Sequence, residues 1–99
     1  MKIPDKVKIG GLTYDVEIID TPLTPKNQGE IDYHNLQIKL LSIKPKIMQR
    51  TFLHEVLHGI FDNLGYYDVD EKKVDELTGA LYALIVDNPG LFGGDKGAK

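Results

Sequence analysis

A chain of 99 residues is enough for one domain and too short for two well-packed ones. It has no cysteine, which excludes disulfides, thiolate metal sites and a cysteine nucleophile, so any zinc site must use nitrogen and oxygen ligands. Its net charge of −3, with acids and bases interspersed, argues against a nucleic-acid partner, and no apolar run nears the roughly 18–20 residues that cross a membrane.

Residues 1–10 hold no apolar stretch of the signal-peptide kind, so the expected setting is cytoplasmic. Segments 7–9 and 12–19 are rich in β-branched and apolar residues and flank Gly10-Gly11, a two-residue hairpin turn signal. Leu12, Tyr14, Val16 and Ile18 alternate with Thr13, Asp15 and Glu17, which predicts a strand with one buried face. Residues 20–29, with Pro22, Pro25, Asn27 and Gly29, read as a loop. A second hairpin follows over 30–33 and 36–40, turning at His34-Asn35.

Pro45 suits the first turn of a helix. From there Ile47, Met48, Phe52, Leu53, Val56, Leu57, Ile60 and Phe61 recur at helical spacings and give a wide apolar face, until Gly65 ends it. A second helix is expected from about Asp70 to Val86, with Val74, Leu77, Leu81, Leu84 and Ile85 as its apolar side, stopped by Asn88-Pro89-Gly90. The expected fold class is α+β: a small antiparallel sheet of three or four strands followed by two packed helices. This makes one domain over residues 1–92, with a flexible tail at 93–99.

The chemistry sits in the first helix, at His54-Glu55-Val56-Leu57-His58. An i, i+4 pair lies on one helical face, so both imidazoles can point at one metal ion. Glu55 is about 100° further round the helix. Its carboxylate therefore stands beside the metal, where it can take a proton from an attacking water. Two solvated histidines on an amphipathic helix are the plainer alternative, but apolar residues flank these on both sides.

A catalytic zinc site needs a third protein ligand. The extended metzincin pattern would place Gly at 61 and His or Asp at 64; Phe61 and Leu64 stand there instead. Asp62, one turn past His58, lies too far along a straight helix to share the ion and reads as a supporting or surface acid. Glu76 is the preferred ligand, because Gly79, Ala80 and Ala83 follow it as a stripe of small residues that would let two helices approach closely. Asp75 is the alternative, and Glu71 reads as an ordinary solvated carboxylate.

His-Glu-Val-Leu-His followed by Glu76, Gly79, Tyr82-Ala83 and Pro89 resembles the ImmA/IrrE-type metallopeptidases over about residues 51–89, and the stretch 76–89 looks like the short versions carried by phages and prophages. Tyr82 replaces that family's Phe, Gly79 its first Ala, and Asp87-Asn88-Pro89 its Leu-rich ending. The resemblance implies a gluzincin-like Zn2+ site with Glu76 as third ligand, a bacterial or phage cytoplasmic setting, and a protein or peptide substrate such as a repressor. No helix precedes the sheet as it generally does in that family, which predicts a shallow cleft.

The expected function is zinc-dependent hydrolysis of peptide bonds, with substrate laid along a sheet edge by strand addition. The alternative is a phage-encoded binding or assembly module with a structural zinc site, and a third is a regulatory partner acting through protein contacts. His34 reads as a solvated turn residue, Tyr66 and Tyr67 as packing over the helix–helix connection, and Tyr82 as core.

Overall fold

Two consecutive glycines turn the chain back on itself at the start of the domain. Gly10 and Gly11 take φ of +58° and +87°, the left-handed pair that a two-residue hairpin of matching twist requires. The turn pairs β1 (Lys6–Ile9) with β2 (Leu12–Ile19), Ile9 opposite Leu12. In the computed structural model, which describes residues 1–21 and 27–91, β3 (Gly29–Asp32) and β4 (Gln37–Leu41) form the second hairpin. Its turn is held by the Asp32 carboxylate, which accepts from the backbone N–H of His34 at 3.0 Å and of Asn35 at 3.1 Å. Residues 22–26 of the expected loop and the whole expected tail at 93–99 lie outside the described residues.

The strand order is β1-β2-β4-β3. The two hairpins are antiparallel within themselves, but β2 and β4 run parallel, Val16 opposite Ile38. The sheet is therefore mixed, where the sequence suggested antiparallel pairing throughout. Placing β4 inside and β3 at the edge buries Ile38 and Leu40 completely, the most apolar alternation of the second hairpin. Ile9, Tyr14, Ile38, Leu40 and Phe52 form the core, with Val7, Val16, Ile31 and Val56 against it.

One helix covers this face. α1 (Pro45–Asn63) packs on β3, β4 and β1 and comes so close that a Cβ on Gly59 would stand 2.8 Å from Ile9 Cδ1 and 3.1 Å from Ile31 Cδ1. α1 ends in a Schellman cap. The Gly65 N–H (φ +89°) donates to the Asp62 carbonyl and the Tyr66 N–H to that of Phe61, while the Phe61 and Tyr66 rings meet edge to face at 6.4 Å.

α2 (Glu71–Asp87) starts at Asp70, whose side chain caps it by accepting from the Lys72 N–H at 3.1 Å. Among the described elements it packs on α1 alone, so the order of layers is sheet, α1, α2. That is why α1 is apolar over so wide an arc: Phe52 joins the sheet-side core while Leu53 and Leu57, on the same helix, are also buried. α2 buries Val74 and Thr78 and half-buries Leu81, Tyr82 and Ile85. The expected apolar side was set differently, for Leu77 and Leu84 are each 44% exposed.

Candidate metal centre

α1 brings His54 and His58 to one face, as the i, i+4 spacing requires, with their Nε2 atoms 3.1 Å apart. The carboxylate that meets them is Glu71, the first residue of α2. Its Oε1 is 3.0 Å from His58 Nε2 and 3.0 Å from His54 Nε2. His54, His58 and Glu71 thus form a group that could hold a metal ion.

The identity of the third acid is a correction to the sequence reading. Glu76 is exposed, and among the described residues it makes no contact with either histidine. The reason is helical phase. The buried face of α2 is fixed by Val74 and Thr78; Glu76 is two residues from each, about 200° away, so it points to solvent. Glu71 is seven residues before Thr78, nearly two full turns, and shares its face. The stripe expected to bring the helices together does not do so either, because Ala80 and Ala83 are exposed.

Asp75, the alternative ligand, has a different place. Its Oδ1 lies 3.0 Å from His54 Nδ1, on the far side of the ring from the cluster. An ionised carboxylate only accepts, so Nδ1 is the donor in this contact and Nε2 is the ring nitrogen turned to the cluster. Nε2 faces a Glu71 oxygen at 3.0 Å, a place that a ring proton or a bound cation can fill. The spacing fits as well. A tetrahedral ion with ligand bonds of about 2.0–2.1 Å holds its ligands about 3.3 Å apart, against 3.0–3.1 Å here.

Glu55 is buried, 8% exposed, and lines the cleft beside His54. Burial pushes its carboxyl up to about 7; His58 opposes the shift, while Glu71 and Glu30 add to it. The cleft has a volume of about 690 Å³ and is walled by residues 27–29, by Ile47, Arg50 and Thr51 of α1, and by Asp75 and Thr78 of α2, with His54, Glu55 and Glu71 along it. A smaller pocket of about 120 Å³ opens beside His58, against Tyr33, Phe61, Asp62, Tyr66 and Tyr67.

The remaining candidates fall outside the cluster. His34 is exposed in its turn. Tyr66 and Tyr67 are 62% and 78% exposed, Tyr66 against Phe61. Tyr82 is half-buried and its hydroxyl donates to Gln49 Oε1 at 2.7 Å. Asp62 lines the smaller pocket and not the His-His-Glu group. Tyr33, which the sequence reading passed over, has its phenol pushed up to about 12 by burial and then by the charges of Asp62 and Glu55.

A scan against protein-family models finds no match, and neither does a search of curated proteins or of solved structures. No helix among the described residues is long and apolar enough to cross a membrane.

Proposed function

We propose that the protein is a zinc-dependent metallo-endopeptidase acting on a protein or peptide substrate, with His54, His58 and Glu71 as metal ligands and Glu55 as catalytic base. The observation that carries this reading is the mutual placement of His54 Nε2, His58 Nε2 and Glu71 Oε1 at 3.0–3.1 Å, at the wall of an open cleft and beside a buried carboxylate. Two imidazoles and one carboxylate suit zinc. A structural zinc usually takes four protein ligands, whereas the group among the described residues supplies three. The resemblance to ImmA/IrrE-type enzymes agrees with it and points to a bacterial or phage-encoded cytoplasmic protein with a repressor-like substrate.

Zinc bound there would polarise the peptide carbonyl and acidify water toward a pKa of about 7. Glu55 takes the proton of the attacking water on a carboxylate oxygen and hands it to the leaving amine. Asp75 holds the His54 ring in the tautomer and orientation that direct Nε2 at the site. Substrate laid along the edge strand β3 would pass residues 27–29, which wall the cleft.

The test is Glu55→Gln against wild type at matched zinc content, on a broad peptide library. The expected loss is roughly 10²–10⁴-fold, typical of a positioned general base. Equal cleavage by both would remove Glu55 as the base. No cleavage by either would favour a binding module with a structural metal.

A further inference from the structure

Among the described residues that wall the cleft there is one cation, Arg50, and three carboxylates. Glu71 and Asp75 are turned to the histidines. Arg50 is exposed and, among the described residues, forms no ion pair or hydrogen bond with any of the three. It stands four residues before His54 on the same face of α1, about 6 Å along the axis. Its guanidinium lies against α2 at Gly79, with Nη2 3.2 Å from where a Cβ on that glycine would stand. A charged fork is thus held over the gap between two helices, one turn from the metal ligands, with no partner from the wall.

We propose that Arg50 is a specificity residue that binds a substrate carboxylate, and that the protein acts on peptides carrying a free carboxylate close to the scissile bond. This rests on the peptidase reading above. The planar guanidinium matches a carboxylate through two parallel N–H···O bonds, which Lys cannot reproduce. A C-terminal α-carboxylate and an Asp or Glu side chain both supply this chemistry.

The experiment separates the two sources and also separates Arg50 from the peptidase reading. Zinc-loaded Glu55→Gln protein is titrated with N-acetyl-Ala-Ala and its amide, and with the amides of N-acetyl-Glu and N-acetyl-Gln, following the Arg50 Nε–H resonance. The carboxylate of the preferred source should bind about tenfold tighter than its neutral twin and move that resonance. Arg50→Gln should abolish the preference and Arg50→Lys keep part of it, both at unchanged zinc content and melting temperature. In parallel, wild type should cleave the matching peptide pool, free C-terminus or internal Glu, with KM about tenfold lower than the neutral pool. No preference in wild type, or the same preference in Arg50→Gln, overturns the assignment. Cleavage of neutral and acidic pools alike would remove the Arg50 role and leave the peptidase. An Arg50-dependent binding preference with no cleavage of any pool would do the reverse.

Discussion

Glu76 lies five positions after Glu71, and that interval decides which acid meets the histidines. Glu71→Gln should therefore weaken zinc retention by about 100-fold or more, beyond the 10–100-fold typical of groups that only support a ligand. Asp75→Asn, which disturbs the partner of His54 Nδ1, should fall in that 10–100-fold range. Glu76→Ala, an exposed change, should stay within about twofold. Competition with a zinc indicator reads all three, and a large loss in Glu76→Ala alone would restore the acid that the sequence suggested. Glu55 adds a dependence on pH. Its folded value near 7 lies above the usual 4.5, so the folded protein holds the proton more tightly than the unfolded chain. In metal-free protein this contribution is fully present below about 4.5, is lost as pH rises toward about 7, and is flat above. The whole loss is on the order of 3 kcal/mol by linkage. Urea midpoints of chelated wild type and Glu55→Gln at pH 5 and pH 8 should show the variant gaining at the higher pH; a constant difference would contradict the burial argument.

At the level of elements, α1 is held from two sides and α2 from one. α1 rests on the sheet through its close approach at Gly59, and a larger side chain there meets Ile9 and Ile31 before it can pack. Gly59→Leu should cost about 3 kcal/mol by overpacking, even though Leu suits a helix better than Gly. A urea midpoint equal to wild type would mean that the helix can lift off the sheet without loss. α2 has only α1 beneath it, with Val74 and Thr78 as its buried residues. Glu71, reaching back to two side chains of α1, is then a cross-tie at one end of the helix pair. The cap at Gly65 and Tyr66 sets where the chain leaves α1 and so where Glu71 can begin the next helix.

For the molecule as a whole, the consequence is a coupling between metal and stability. A chain of this size has a thin core, and among the described residues α1 is the helix that covers its sheet. An ion that binds the folded state alone stabilises it by about 2.7 kcal/mol when present at 100 times its Kd. For a domain near 100 residues that corresponds to a Tm higher by on the order of 10 °C. Thermal unfolding in zinc and in excess chelator measures it, and equal Tm values would show that the site does not tie α1 to α2.

The sequence by itself determined the strand-then-helix order, the Gly10-Gly11 hairpin, the extent of α1 and the facing pair of histidines with Glu55 beside them. Each depends on spacing within a few residues: two positive-φ positions, a 3.6-residue period, an i, i+4 step. The tertiary structure alone decided that β2 and β4 run parallel, because strand order follows from which hairpin face buries more, not from any local signal. It also decided which acid meets the two histidines. The expected apolar side of α2 joined Val74, Leu81 and Ile85 to Leu77 and Leu84, a wide arc that did not fix which acid faces the histidines. The structure narrows that arc to Val74 and Thr78 and leaves Leu77 and Leu84 exposed. An i, i+4 pair of acids at 71 and 75, preceded by an Asp cap, was the available sign that an acidic face begins this helix. Its meaning depended on the rotation of α2 against α1, which packing between helices sets and a single helix's own residues do not.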